Sequence, residues 1–209
     1  MILDRLETMA TIILKDYEEA GANAIHIICI LKGGFNFAVD LFNKLSEYST
    51  TREKHMQICI DFISANTYVN DSVGHDTKLN PCTNMKKFKD KYVLIAEDLV
   101  DTGTTFKTVE NYIKQFEPKL IRSASLLFKR IHDNTEVIPK SNSVSSRVCC
   151  FSTKIQTITS PGYNPDYVGF EVPNRFVVGY GIDYNDCFRD VPHVCSVNDE
   201  GKREFFGKG

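Results

Sequence analysis

The chain has 209 residues, 42% of them hydrophobic and 25% charged, which is the composition of an ordinary globular protein with enough residues to bury one sizeable core. A formal net charge of -2 argues against a nucleic-acid binder that relies on bulk positive charge, and no apolar run approaches the ~18 residues of a membrane span. The seven cysteines are scattered without a Cys-x-x-Cys spacing, so we expect reduced thiols in a cytoplasmic protein rather than a disulfide framework or a zinc site.

Hydrophobic periodicity divides the first 130 residues into alternating helices and strands. The predicted elements, in chain order, are a helix over residues 3–19, a strand over 24–31, a helix over 35–48, a strand over 56–62, a strand over 92–96, a helix over 104–116 and a strand over 120–128. This order predicts an α/β fold, in which a parallel sheet carries helices on both faces.

Three stretches fall outside this alternation. Residues 64–90 are polar and rich in turn-forming residues, which indicates a long mobile loop. Residues 131–160 show neither helical nor strand periodicity, so we expect an inserted, disordered surface loop. Beyond residue 160 the chain is aromatic and strand-like, with short strands predicted over 167–170 and 176–180.

The sharpest motif joins the strand over 92–96 to the helix that follows it. Two acids, Glu97 and Asp98, end the strand, and a turn of small residues then leads into the helix. The residues of this turn are Asp101, Thr102, Gly103, Thr104 and Thr105. Its free backbone N–H groups, its threonine hydroxyls and the helix dipole suit a phosphate, and its glycine lets the backbone approach closely. Since the two acids can accept hydrogen bonds from a pair of sugar hydroxyls, the motif predicts a ribose phosphate site at the carboxyl end of a strand.

The same motif has other interpretations. Acids at a strand end are commonly just solvated, and Thr104 can serve as a helix cap. The tripeptide Asp101-Thr102-Gly103 also occurs in aspartic proteases. Those enzymes need two facing carboxylates in an all-β fold. Here the tripeptide opens a helix, and the sequence holds no second copy of it.

Four motifs, in order along the chain, resemble those of a known family. Two acids followed by Asp-Thr-Gly-x-Thr are similar to the phosphoribosyl pyrophosphate signature of the type I phosphoribosyltransferases. The segments over residues 31–34, 126–130 and 176–190 resemble the hypoxanthine-guanine members of that family. The similarity runs through residues 1–130 and resumes at about 161–209. It implies transfer of the phosphoribosyl group from phosphoribosyl pyrophosphate to hypoxanthine or guanine, which gives IMP or GMP and pyrophosphate in purine salvage.

The resemblance also implies roles at the phosphoribosyl end of the site. Lys32 and Arg189 would contact the pyrophosphate from opposite sides, and Asp101 would handle the proton of the purine ring. These three are the expected catalytic residues. One or two Mg²⁺ ions are implied, held mostly by substrate oxygens, with Asp183, Glu97 and Asp98 as candidate protein ligands. The residues implied to bind phosphoribosyl pyrophosphate are Lys32, Gly33, Glu97, Asp98, Asp101, Thr102, Gly103, Thr104, Thr105 and Arg189.

Recognition of the base follows from the same resemblance. Lys129 would donate to the exocyclic oxygen of the purine, which selects 6-oxopurines over adenine because adenine presents an amino group there. Phe176 would stack on the base, and the backbone of Val177 would meet its edge. Asp183 is the fourth residue implied at the purine. The segment over 64–71, which contains Thr67 and Tyr68, resembles a mobile loop that closes over the site and excludes water.

Three departures from the family pattern qualify this expectation. The chain begins about where the first core helix of the family begins, so we expect an incomplete hood subdomain over the base, built from residues 161–209. Residues 131–160 replace a short connection, and Thr104 stands where many relatives carry Lys. A second hypothesis therefore stays open, in which a catalytically impaired form binds nucleotide or pairs with a full-length subunit. The expected organisation is a single type I phosphoribosyltransferase-like domain over residues 1–209 that forms a homodimer or homotetramer.

Overall fold

The computed structural model describes residues 1–69, 75–130, 147–148 and 163–205. The elements, in chain order, are α1 (Ile2–Glu19), β1 (Ala24–Leu31), α2 (Phe35–Thr50), β2 (Gln57–Val69), β3 (His75–Pro81), a short 3-10 helix (Met85–Phe88), β4 (Tyr92–Val100), α3 (Thr104–Lys114), β5 (Leu120–Arg130), β6 (Arg147–Val148), β7 (Tyr167–Pro173), β8 (Val177–Val178), β9 (Cys195–Ser196) and α4 (Asp199–Glu204). Among these helices none has the length and apolarity that crossing a lipid bilayer requires.

Within the described residues, seven strands form the main sheet in the order β3-β2-β1-β4-β5-β7-β6. All neighbours are parallel except β2 and β3, which are antiparallel. Helices α1 and α2 cover one face of the sheet, and α3 covers the other. Because side chains alternate along a strand, Leu94 and Ala96 of β4 join the core under α1 and α2, whereas Val93 and Ile95 join the core under α3. The predicted α/β architecture with helices on both faces is confirmed.

The elements with a clear hydrophobic period have the predicted bounds. The observed β1 agrees with the predicted strand at both ends, and α1, α2 and α3 agree with theirs within two residues. Burial explains this agreement, because β1 lies in the middle of the sheet and its side chains enter both cores. A central parallel strand therefore appears in the sequence as a continuous apolar run.

The strand β4 is longer than its apolar run predicts. It continues to Val100 because its backbone stays paired with β5, with Glu97 opposite Ser125. Glu97 and Asp98 therefore lie inside the strand and half-buried, not at its end as predicted. Asp101 is the first residue after the strand.

The prediction of a long loop over residues 64–90 is wrong for most of that stretch. β2 continues through residue 69 and pairs antiparallel with β3 at the edge of the sheet. An edge hairpin is held by backbone hydrogen bonds and tolerates polar side chains, so hydrophobic periodicity gives no signal for it. Thr67 and Tyr68, implied to belong to a closing loop, lie on this hairpin, while residues 70–74 lie outside the described chain.

The C-terminal part forms a small lobe beside the main sheet. The strand predicted over 176–180 is shorter in the structure, where β8 pairs antiparallel with β9 over two residues. The chain then leaves the strand because Gly179, Tyr180 and Gly181 all adopt positive φ. The predicted insertion over 131–160 lies outside the described residues apart from β6, which pairs with β7 at the other sheet edge.

Candidate active site

The turn over residues 101–105, called the phosphate turn below, connects β4 to the N-terminus of α3. Gly103 occupies the N-cap position with a φ of 74°, a left-handed conformation that favours glycine. A Cβ at this position would lie 2.3 Å from the Cβ of Tyr163, whose ring stacks on Phe106 with the centroids 5.0 Å apart. Both the conformation and the neighbouring tyrosine therefore require glycine here.

The phosphate turn presents polar groups to solvent. Thr102 and Thr104 are exposed, and their Oγ1 atoms lie 3.0 Å apart. The backbone N–H of Thr104 donates to the Thr102 hydroxyl over 3.4 Å, and Thr105 is half-buried in the first helical turn. No acidic residue lies in the first turn of α3, so nothing there opposes an anion at the positive end of the helix dipole.

Lys129 and Asp101 meet at the carboxyl ends of β5 and β4. Lys129 Nζ donates to Asp101 Oδ2 over 2.9 Å, and the lysine is 5% exposed. The same ammonium lies 5.5 Å from the centre of the Phe176 ring. Because a nearly buried ammonium needs a partner, the carboxylate and the ring face together stabilise the lysine in this position.

Phe176 is an exposed aromatic surface beside these charges. It is 53% exposed, and its ring meets the edge of Tyr184 with the centroids 5.7 Å apart. Lys202 of α4 also lies over the ring, with Nζ 5.1 Å from its centroid. Val177, the next residue, is half-buried in β8. A flat apolar face flanked by two ammonium groups suits a planar, electron-rich ring.

Residues 32–34, called the lysine turn below, directly follow β1. The peptide bond that joins Leu31 of β1 to Lys32 is cis. A Cβ at Gly33 would lie 2.2 Å from Asp98 Oδ2, and one at Gly34 would lie 2.6 Å from a backbone oxygen of β1. A side chain is therefore excluded at Gly34 by backbone, whereas at Gly33 the Asp98 carboxylate would have to move to admit one. The Lys32 side chain is exposed, and its Nζ lies 3.4 Å from Asp186 Oδ1.

The loop over residues 179–190, called the C-terminal loop below, brings Arg189 to the lysine turn. Arg189 Nη2 lies 2.9 Å from an oxygen of Asp183 and 2.9 Å from Asp186 Oδ1. Asp186 therefore joins Arg189 to Lys32, the two cations expected at the pyrophosphate. Hydrogen bonds from Arg189, and then from Lys32, lower the pKa of Asp186. Asp183 is half-buried, and its second oxygen accepts the backbone N–H of Asp186 over 2.7 Å.

The acids of β4 lie beside this cluster. Burial raises the pKa of Asp98 to about 6, while the Arg189 guanidinium opposes the rise and the Asp183 carboxylate adds to it. Burial, and then the charge of Asp98, raise the pKa of Glu97 well above its ordinary range. Two carboxyls in this setting are stabilised in their charged form by any nearby cation.

Within the described part of the chain, no three His, Cys, Asp or Glu side chains are grouped so that they could hold a metal ion. A site that relies on Glu97, Asp98 and Asp183 therefore needs most of its ligands from substrate or water. Mg²⁺ is a cation that commonly binds in this way.

Most of the residues singled out from the sequence lie at one edge of the sheet. The phosphate turn, Lys129, the lysine turn and Arg189 come from separate elements and meet at the carboxyl ends of β1, β4 and β5, where open α/β sheets bind ligands. Thr67 and Tyr68 lie on the β2–β3 hairpin. Three residues near the site have no local signal in the sequence, because each contacts a segment that is distant in the chain. They are Asp186, Lys202 and Tyr163.

Comparison with known proteins gives matches over most of the chain. A family model described as "Phosphoribosyl transferase domain" matches residues 1–150. The hypoxanthine-guanine phosphoribosyltransferase of Pan troglodytes is 36% identical over 205 residues, which cover 98% of this chain and 81% of that protein. "Phosphoribosyltransferase domain-containing protein 1" of Xenopus laevis is 35% identical, with coverage of 98% and 79%.

Solved structures give the same match at the level of the fold. Hypoxanthine-guanine phosphoribosyltransferase from Schistosoma mansoni in complex with IMP superposes with a TM-score of 0.70 and 34% identity, over 98% of this chain and 80% of that one. Hypoxanthine phosphoribosyltransferase from Trypanosoma cruzi complexed with the product IMP gives a TM-score of 0.72 and 25% identity, over 99% of this chain and 90% of that one.

Proposed function

Because the chain belongs to the hypoxanthine-guanine phosphoribosyltransferase family, we infer that it transfers the phosphoribosyl group of phosphoribosyl pyrophosphate to hypoxanthine or guanine, giving IMP or GMP and pyrophosphate. The observation that carries this function is the contact between Lys129 and Asp101 beside the exposed Phe176 ring. The hydrogen-bond donor, the carboxylate and the aromatic surface lie close together, which supports binding of one purine by all three.

At the base, we assign Lys129 to the exocyclic oxygen of the purine. An ammonium group only donates hydrogen bonds, so it favours the oxygen of hypoxanthine or guanine and leaves the amino group of adenine unpaired. Asp101 is assigned to the ring proton that the purine exchanges when its bond to ribose forms. The 2.9 Å contact with Lys129 supports this role, because it keeps the carboxylate within reach of the same base.

At the pyrophosphate, Lys32 and Arg189 are assigned as cations on opposite sides. Both contact the exposed Asp186 carboxylate, at 3.4 Å and 2.9 Å respectively. An exposed ion pair contributes only about 0–1 kcal/mol, so a more highly charged pyrophosphate can displace Asp186 at little cost. The exposed N-terminus of α3 supports binding of the ribose phosphate at the phosphate turn, with Thr102 and Thr104 as donors.

We propose that Mg²⁺ binds beside the acidic residues of the site, with most of its ligands supplied by substrate and water. Glu97, Asp98 and Asp183 supply the oxygen ligands that this ion prefers, and burial raises the pKa of Asp98 to about 6, a cost that a bound cation offsets. When bound, the ion would neutralise charge on the departing pyrophosphate. The protein residues keep the separate tasks of binding the base and orienting the leaving group.

The remaining expectations concern organisation. We propose that residues 1–209 act as one phosphoribosyltransferase domain, with the small sheet of β8 and β9 as part of a hood over the base, and that copies of the chain associate as a homodimer or homotetramer. Five free cysteines at described positions support the cytoplasm as the compartment, since thiols stay reduced there. Sedimentation velocity at micromolar concentration measures the number of subunits.

The decisive experiment follows pyrophosphate release with Mg²⁺ and phosphoribosyl pyrophosphate. We expect turnover with hypoxanthine and guanine, and none above background with adenine. The products are identified as IMP and GMP by chromatography. Protein that binds IMP in calorimetry but releases no pyrophosphate with any purine would contradict the enzymatic function and favour the alternative of a nucleotide-binding or subunit-pairing form.

A further inference from the structure

A hydrogen bond connects the C-terminal loop to the helix that follows the lysine turn. The hydroxyl of Tyr180 donates to Oδ2 of Asp40, which lies in the first half of α2. The two residues are 140 positions apart in the sequence, and both are half-buried. Since α2 begins directly after the lysine turn, the bond ties the segment that carries Arg189 to the element that carries Lys32.

The C-terminal loop has a conformation that two of its bulky residues, Tyr180 and Phe188, do not favour. Tyr180, Asn185, Asp186 and Phe188 all have φ between 51° and 72°, in the left-handed region that residues with a side chain rarely adopt. Backbone hydrogen bonds close the loop internally, among them Gly181 N–H to the Arg189 oxygen at 3.0 Å. A strained loop keeps one shape only when its surroundings hold it, and such loops occur mainly at functional sites.

Contact with the lysine turn is close at one point. A Cβ at Gly181 would lie 2.5 Å from the backbone oxygen of Gly33. The Gly181 oxygen in turn accepts a hydrogen bond from Arg189 Nη1 over 2.9 Å. The position of Arg189 relative to the lysine turn therefore depends on how closely the backbone at residue 181 approaches Gly33.

The shared contact with Asp186, which links Lys32 to Arg189, is too weak to hold the C-terminal loop on the lysine turn. Lys32 reaches Asp186 over 3.4 Å, with the two side chains 71% and 60% exposed. A pair this exposed contributes little, and substrate would displace it. The Tyr180 hydroxyl, by contrast, is half-buried, and burial followed by the hydrogen bond to Asp40 raises its pKa. The hydroxyl thus remains a donor at neutral pH, whether or not substrate is bound.

We propose that Tyr180 and Asp40 are positioning residues that hold the C-terminal loop on the lysine turn, so that Arg189 and Lys32 face one pyrophosphate before substrate binds. The inference rests on the proposed phosphoribosyl transfer. It predicts that losing the bond weakens binding of pyrophosphate and of phosphoribosyl pyrophosphate, and leaves binding of the purine base nearly unchanged.

The test compares Tyr180→Phe, Asp40→Ala and the double variant with the natural chain. Tyr180→Phe should raise KM for phosphoribosyl pyrophosphate about tenfold, as expected for losing a half-buried hydrogen bond to a charged acceptor, with KM for guanine changed less than about twofold. Asp40→Ala should give a similar increase. The double variant should be no worse than either single one, because the two side chains act as a unit. Calorimetry with inorganic pyrophosphate and Mg²⁺ measures the same loss without turnover.

Tyr92→Phe is the matched control. It removes a tyrosine hydroxyl that donates to the Ala20 oxygen over 3.0 Å, at the start of β4 and away from the site. It should lower the melting temperature without changing either KM. A Tyr180→Phe variant that behaves in the same way, with unchanged pyrophosphate affinity, overturns the proposal because the bond is then merely structural.

One further outcome separates the proposal from the function on which it rests. If the natural chain converts no purine yet binds pyrophosphate, the transferase function fails, and a weakened pyrophosphate affinity in Tyr180→Phe still supports positioning.

If Tyr180→Phe does not fold, Asp40→Asn decides, since it keeps a neutral acceptor. An increase in the pyrophosphate dissociation constant of about threefold then supports the proposal, and an unchanged constant overturns it.

Discussion

The ammonium of Lys129 lies 2.9 Å from a carboxylate oxygen of Asp101, and this contact links the ends of two neighbouring parallel strands. The lysine side chain is 7% exposed, whereas that of Asp101 is 48% exposed. The pair is therefore asymmetric. Lys129 is fixed by its surroundings, whereas nearly half of the Asp101 side chain is accessible to solvent.

Lys129→Gln should weaken selection of 6-oxopurines. The amide keeps much of the length but loses the charge, and its oxygen can accept from the amino group of adenine. We expect kcat/KM for hypoxanthine to fall about 10- to 100-fold, the range for a lost hydrogen bond to a charged group, and the adenine-to-hypoxanthine ratio to rise. Steady-state kinetics with both bases measure this. Lys119→Gln is the control, because Lys119 also lies over an aromatic ring, that of Tyr92, but at the far end of the sheet.

Asp101→Asn should lower turnover far more than nucleotide affinity. The change removes the group assigned to the ring proton while it preserves the shape of the phosphate turn. General acid–base catalysis contributes about 10²- to 10⁴-fold, so we expect kcat to fall at least 10²-fold. The dissociation constant of IMP, measured by calorimetry, should change less than about fivefold. Equal losses in kcat and in IMP affinity would mean that Asp101 only positions the ligand.

The sequence predicted those parts of the molecule whose signal is local or apolar. The strand β1 and the three long helices follow from burial, and the phosphate turn follows from a glycine and threonines that are adjacent in the chain. The β2–β3 hairpin escaped prediction because backbone hydrogen bonds form it without an apolar period. The contact between Tyr180 and Asp40 escaped for another reason. It joins two polar residues 140 positions apart, and neither carries a local pattern.

Gly103→Ala should lower the free energy of unfolding by more than the left-handed backbone conformation alone explains. Gly21 has a similar φ, +80° against +74°, but a Cβ there would meet nothing nearer than 3.7 Å, while a Cβ at Gly103 would lie 2.3 Å from Tyr163. Gly21→Ala should therefore cost about 1 kcal/mol of unfolding free energy, and Gly103→Ala about 2–4 kcal/mol. Urea unfolding measures both. Equal costs would show that Tyr163 moves aside freely and that only the backbone conformation requires glycine.

Lys202→Ala should weaken binding of the base. The helix α4 is held on the C-terminal loop by Phe205, whose ring meets that of Phe188 with the centroids 4.7 Å apart. This contact helps to place Lys202 over the Phe176 ring, the surface on which we expect the base to stack. A partly exposed cation–π contact contributes about 0.5–1 kcal/mol, so we expect KM for hypoxanthine to rise about two- to fivefold while KM for phosphoribosyl pyrophosphate stays constant. Arg203→Ala, on the same helix, should change neither. If KM for hypoxanthine is the same in Lys202→Ala and in the natural chain, Lys202 has no part in recognising the base.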